Sequence, residues 1–202
     1  MKEKTVELEL RTRIPLKEIK NIHGRLERLG VFHSHTKRLS VMYFGTVGSK
    51  KVDIRVRVTD GRCEVVIKSG SFGAHDRIEF PQAVSRKQFL GFVKIFTQLG
   101  FNSKVGERET FNYRLPNSIT ISLVLAGAIA YLEIEKMSSP HDVEKNTKQL
   151  KKIAEHLGLQ FLNSEKDFND LCDQLDKKTD WSFFGSKKDY EKLKKLLNNH
   201  NK

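Results

Sequence analysis

From Thr5 to Ile14 apolar and charged residues alternate: Val6, Leu8, Leu10 and Ile14 take one parity, Glu7, Glu9, Arg11 and Arg13 the other. A period of two predicts a strand with one face on a core. Pro15 then suits a first helical turn, Leu16, Ile19, Ile22, Leu26 and Leu29 recur at helical spacing, and Gly30 is placed as the stop. Ser40 to Phe44 reads as a strand. Val52 to Lys68 reads as a hairpin: Val52, Ile54, Val56 and Val58 alternate with Asp53, Arg55, Arg57 and Thr59, Asp60-Gly61 is a two-residue turn, and Cys63, Val65 and Ile67 form the returning apolar parity. A strand around Arg77 to Phe80 follows. Ser85 caps a helix that runs to Leu99 and stops at Gly100. Strands are predicted around Arg108 to Leu115, from Ile119 to Leu125 and from Ile129 to Met137, then a helix from Pro140 to about Leu157. Helical patterns at Glu165 to Leu175 and Lys187 to Leu197 complete the chain, with Thr179 to Gly185 as a candidate linker.

Eight strands and three helices followed by a helical tail predict an α+β protein built on an antiparallel sheet. The expected division is a main body over 1–163 and a helical extension over 164–202, packed on or beside it. The chain has 202 residues, 38% of them hydrophobic, which is too apolar for general disorder. Its longest apolar stretch, Leu123 to Leu132, is interrupted by Gly127 and far shorter than the ~20 residues of a membrane span. The start, Met1-Lys2-Glu3-Lys4, has no apolar leader pattern, so a cytoplasmic protein without a membrane partner is expected. Two cysteines, Cys63 and Cys172, exclude a disulfide framework and a cysteine zinc site.

The formal net charge is +12, which points to an anionic partner. Residues 164–202 hold nine Lys against eight acidic residues, so the excess belongs to the main body. There the charges follow strand parity: Glu7, Glu9, Arg11 and Arg13; Arg55 and Arg57; Glu64 and Lys68; Arg77 and Glu79; Arg108 and Arg114; Glu133 and Glu135. One reading is a solvated face with cross-strand ion pairs, each contributing ~0.2–1 kcal/mol. The other closes the sheet into a barrel with this parity inward. Arginine forks and lysines would then hold a multiply charged phosphate. The pairs Glu7/Glu9 and Glu133/Glu135, whose members lie about 7 Å apart on one wall, would hold hard divalent cations through oxygen.

Taken in order, these strands resemble the motifs of the CYTH family, the triphosphate tunnel metalloenzymes. Glu7-Leu-Glu9-Leu-Arg11 resembles the family's opening Glu-x-Glu-x-Lys strand, with Arg11 in place of Lys. Tyr43-Phe44 resembles the aromatic pair of its second strand, Arg55-Val-Arg57 its Arg-x-Arg strand, and Val65-Val66-Ile67-Lys68 its lysine-ended strand. Arg77-Ile78-Glu79, Arg108 with Tyr113-Arg114, and the closing Glu133-Ile134-Glu135 follow. The resemblance covers about 1–163 and implies an eight-stranded antiparallel tunnel with surrounding helices that binds triphosphate or nucleotide with Mg²⁺ or Mn²⁺. It implies metal ligation by Glu7, Glu9, Glu133 and Glu135, and phosphate binding by Arg11, Arg55, Arg57, Lys68, Arg77, Arg108 and Arg114. Glu64 and Glu79 become supporting lumen carboxylates, and Glu9, Glu133 and Lys68 the residues on which catalysis depends. The chain departs from the family pattern where Ser122 stands near a commonly occurring Asp, in the turn Ala126-Gly127-Ala128-Ile129, and at Gly45.

The expected activity is metal-dependent hydrolysis of inorganic triphosphate or a triphosphorylated small molecule. The alternatives are an adenylyl cyclase of class IV type, a non-catalytic nucleotide or polyphosphate binder, and an RNA 5′-triphosphatase. No P-loop or Gly-x-Gly-x-x-Gly motif is present. His33 and His35 share a strand parity but lack an apparent third zinc ligand. Trp181, Phe183 and Phe184 fit packing better than base stacking. Tyr190, Leu193, Leu196 and Leu197 form an apolar helix face that would also suit a second copy of the chain.

Overall fold

The computed structural model describes residues 6–69, 78–162 and 164–200. Its strands are β1 Val6–Ile14, β2 Val31–Val47, β3 Lys50–Thr59, β4 Arg62–Ser69, β5 Ile78–Val84, β6 Asn102–Leu115, β7 Ile119–Ala126, β8 Ile129–Ser138 and β9 Trp181–Ser182. The helices are α1 Ile19–Leu29, α2 Arg86–Thr97, α3 Val143–His156, α4 Glu165–Lys178 and α5 Lys187–Asn199. The eight long strands follow the order β1-β8-β7-β6-β2-β3-β4-β5, and two-residue β9 joins β6. The α+β class and the eight-stranded antiparallel sheet are as expected. Among the described residues no helix is long and apolar enough to cross a membrane.

The chain divides into two compact units, residues 1–35 with 109–178 and residues 36–108 with 179–202. In the first, β1, β7 and β8 present Leu8, Ile14, Ile121, Leu123, Leu132 and Ile134 to Ile22 and Leu26 of α1 and Leu150 and Ala154 of α3. The register Ile121↔Ile134 and Leu123↔Leu132 lines these residues up across the sheet. A second cluster lies on the opposite parity, where Val124 and Tyr131 meet Leu171 and Leu175 of α4. The α4 helix thus packs on the charged side of this sheet, a placement that its own Phe168, Leu171 and Leu175 spacing encodes without naming the partner.

In the second unit, Leu39, Val41 and Tyr43 of β2, Val56 and Val58 of β3 and Cys63 and Val65 of β4 pack against Phe89 and Val93 of α2 and Leu193 and Leu197 of α5. Tyr43 donates its hydroxyl to the Val93 carbonyl at 2.9 Å. The hairpin turns at Asp60-Gly61, both at positive φ, and the Asp60 carboxylate accepts the Lys37 amide at 2.8 Å. Pro81 is tolerated in β5 because that strand ends the strand order. Ser85 and Gln88 form a capping box at α2.

Three local expectations change. The second strand extends from Val31 to Val47; its first half is largely exposed and lacks the alternation by which strands are recognised. Gly30 ends α1 in extended backbone, and its place is fixed by closeness: a Cβ there would lie 2.6 Å from the Arg114 carbonyl oxygen. Thr179 to Gly185 is a packed tie rather than a linker. Phe183 is buried, Lys104↔Ser182 and Val105↔Trp181 pair, and Ser103 and Phe183 exchange backbone and side-chain hydrogen bonds.

Candidate functional site

In the first unit the site begins with register. The antiparallel pairing of β1 with β8 sets Glu9 opposite Glu135 and Arg11 opposite Glu133. All four share the parity opposite the α1 and α3 core. One carboxylate oxygen from each of Glu9, Glu133 and Glu135 lies within 4.8 Å of the others, the one such convergence of His, Cys, Asp or Glu found among the described residues. Arg11 donates to Glu133 at 2.9 Å and to Glu9, and its guanidinium lies 4.9 Å from the centre of the Phe168 ring of α4.

These contacts set the charge states. Burial opposes ionisation of Arg11, but Glu133 and Glu9 outweigh it and hold the guanidinium firmly charged. Burial opposes ionisation of Glu135 as well, and here the neighbours reinforce it: with Glu133, Glu9 and Glu7 nearby, its carboxyl is pushed up to about 8, against a smaller opposing pull from Arg11. The cluster therefore keeps a proton near neutrality. Three convergent carboxylates, one of them disfavoured as an anion by its neighbours, are a donor set that fits a hard divalent cation such as Mg²⁺ or Mn²⁺.

The remaining residues of this face fall into rows. Arg11 and Glu133 continue through Ser122 to Asn112. Ser122 donates to Asn112 at 2.8 Å, and Asn112 donates to Ser34 at 2.9 Å. A neutral hydroxyl-amide chain thus follows Glu133, where a carboxylate would have extended the anionic cluster. Glu9 and Glu135 continue through Thr120 to the exposed Arg114. Glu7 is exposed on the same face, beyond Glu9. His35 contacts Glu109 at 2.7 Å and stacks on Phe111.

The second unit carries charges on the parity opposite its own core. Arg55 forms a two-point pair with the buried Asp53, at 2.9 and 2.7 Å. Arg57 meets its cross-strand neighbour Glu64 at 2.7 Å, and Lys68 meets its neighbour Glu79. Burial opposes ionisation of Glu79, but the Lys68 hydrogen bond and charge, with Arg57 and Arg55, hold its carboxyl below the ordinary value. Lys104 lies 4.8 Å above the Phe44 ring. Arg108 is clamped by Asp180 at 2.7 and 2.9 Å. Arg77 lies outside the described residues.

Sequence reasoning did not select Asp53, Asp180, Phe168 or the Ser122–Asn112 chain. Asp53 carried the one available signal, the strand parity of Arg55 and Arg57. Gly45 also acquires a reason: a Cβ on it would run into the Phe101 ring. Gly45→Ala is therefore expected to lower unfolding stability by ~1–3 kcal/mol through overpacking, read as a reduced urea midpoint at unchanged slope.

No family model matches the chain, and no curated protein matches it. Solved structures do. The PH1012 protein of Pyrococcus horikoshii aligns at a TM-score of 0.60 and 24% identity, over 80% of this chain and 93% of that one. A Vibrio parahaemolyticus protein provisionally named an adenylate cyclase aligns at 0.60 and 13%, over 82% and 98%. HpAC1 from Hippeastrum, provisionally an adenylyl cyclase and described with a dominant triphosphatase activity, aligns at 0.53 and 15%, over 80% and 91%. At such identities the likeness establishes backbone architecture, not activity. The chain thus shares the backbone architecture of these solved structures, and the strands that carry its charged pairs are the ones whose motifs resemble those of the triphosphate tunnel group.

Proposed function

We propose that this protein catalyses divalent-metal-dependent hydrolysis of a triphosphate, either inorganic triphosphate or a triphosphorylated small molecule. The observation that carries the reading is the convergence of Glu9, Glu133 and Glu135 around Arg11. Glu9, Glu133 and Glu135 would hold Mg²⁺ or Mn²⁺, with Glu7 beside them as a further oxygen donor. When bound, the cation supplies charge neutralisation and a more acidic water. Arg11 pairs with Glu133 and Glu9 and so orients them, and its permanent charge suits a phosphate oxygen. In the second unit, Arg55, Arg57 and Lys68 are held by Asp53, Glu64 and Glu79 in fixed directions suited to phosphate binding. Phosphoryl transfer depends mainly on such positioning and charge stabilisation.

The test is a product assay on the purified chain. Mg²⁺ or Mn²⁺ is supplied with tripolyphosphate, ATP or 5′-triphosphate RNA, and orthophosphate, pyrophosphate and cyclic nucleotide are measured. Orthophosphate from tripolyphosphate is the expected result. Cyclic nucleotide with pyrophosphate would instead identify a cyclase.

Ser122 favours a second reading, a non-catalytic binder, because the row beyond Glu133 continues as neutral groups. Ser122→Asp separates the two. It adds a carboxylate opposite Glu133 and is expected to raise Mn²⁺ affinity while lowering metal-free stability through like-charge crowding. A gain in affinity accompanied by turnover absent from the parent would favour the binder for the natural chain.

A further inference from the structure

Lys136 departs from its surroundings. It sits on β8 in the parity of Leu132, Ile134 and Ser138, which turns towards α3 and away from Glu133 and Glu135. It is half-buried, and its ammonium donates to Asn146 Oδ1 and Gln149 Oε1, each at 2.9 Å. Asn146 is itself buried and fixed: its Nδ2 donates to Ser138 Oγ at 2.8 Å, which turns its oxygen to Lys136. The lysine is therefore held in place by neutral amides, and among the described residues no carboxylate neutralises it.

Around this fixed ammonium lies a pocket of about 790 Å³, lined also by Lys145, Lys148 and Lys152 of α3 and by Asn117. The three helix lysines recur at helical spacing on one face, where like charges repel. The one carboxylate in the lining, Glu144, is bound to Lys148 at 2.7 Å. A solvated helix face explains the outer lysines but not a half-buried lysine, anchored from the sheet, that contributes its uncompensated charge to the same concavity. Ammonium groups are compact point charges on flexible stems, suited to successive tetrahedral oxyanions rather than to one planar partner. With four lysines against one carboxylate the lining is net positive, such a concavity concentrates anions, and the volume is that of a small-molecule site.

We propose that the β8–α3 pocket is an anion site that binds a soluble oligophosphate without metal, on the sheet face opposite the carboxylate cluster. Calorimetric titration with sodium tripolyphosphate in EDTA at low ionic strength tests it. The parent chain is compared with Lys145→Gln/Lys148→Gln/Lys152→Gln, with Lys136→Met, and with Arg55→Gln/Arg57→Gln. The expected result is metal-free binding that weakens with salt and falls about tenfold or more in the triple variant and in Lys136→Met, while the arginine variant reports separately on phosphate held in the second unit. If Lys136→Met does not fold, the triple variant of exposed helix positions decides alone. Undiminished binding in the triple variant, or loss in the arginine variant only, would overturn the proposal. In a parallel titration with a 5′-hydroxyl oligoribonucleotide, a triple variant that loses this ligand while binding tripolyphosphate undiminished would also overturn it, and would mark a nucleic-acid surface. Because metal is absent throughout, failure to hydrolyse triphosphate leaves this result readable.

Discussion

Glu133→Gln is expected to lower metal-dependent turnover of tripolyphosphate by about 100-fold or more, with Glu9→Gln close behind. Gln keeps the size of the side chain but removes the charge and one of its two hard oxygens. At position 133 that oxygen set is shared between Arg11, 2.9 Å away, and the space facing Glu9 and Glu135. The substitution therefore takes a donor from the cation and a counter-charge from Arg11 at once. Two measurements check this: kcat/KM for phosphate release with Mn²⁺, and Mn²⁺ affinity by calorimetry on the same preparation. Both should fall. Reduced turnover with unchanged Mn²⁺ affinity would make Glu133 a positioning residue for Arg11 rather than a metal ligand. Unchanged values of both would remove the cluster from the reaction.

The parity of this site was legible in the sequence because alternation writes burial directly. Glu7, Glu9, Arg11 and Arg13 could share a face only if Val6, Leu8 and Ile14 met a core, and they do. The same logic exposed Arg55 and Arg57, Glu64 and Lys68, and Glu133 and Glu135. Register was not legible. Glu9 meets Glu135 through pairing between strands more than 100 residues apart, and no local pattern states which residues become neighbours. Nor could the sequence state that Arg108 would be clamped by Asp180, or that α4 would bring Phe168 over Arg11. The half-exposed start of β2 was missed for the opposite reason: a strand without a buried face carries no period to read. Lys136 stands near the end of the predicted strand Ile129 to Met137, where no local pattern singles it out. Its meaning came from α3, which supplies Asn146 and Gln149 only after the chain has turned back on the sheet.

Metal-free protein is expected to lose stability as pH rises from about 5 to about 9, and divalent cation is expected to restore it. The carboxyl of Glu135, ordinarily near 4.5, is pushed up to about 8 by burial and by Glu133, Glu9 and Glu7. A group whose pKa is higher in the folded chain than in the unfolded one stabilises the fold fully below the unfolded value. That contribution is lost as pH rises through the folded value. For this shift, allowing for solvent screening by the partly exposed Glu9, the loss is on the order of 3 kcal/mol. Glu79 acts in a different window and with the opposite sign: its lowered pKa stabilises the fold above the ordinary carboxylate range and is lost only as pH falls through the folded value. Melting temperature against pH, measured in EDTA, should thus decline between about pH 5 and about pH 9 in the parent, and this decline should largely disappear in Glu135→Gln. Cation binding should also displace the Glu135 proton, so Mn²⁺ titrations in buffers of different ionisation enthalpy should report close to one proton released at pH 7 and almost none above pH 9. A decline of the same size over this range that survives in Glu135→Gln, or Mn²⁺ binding without proton release at pH 7, would mean that the three carboxylates do not act as one cation-binding unit.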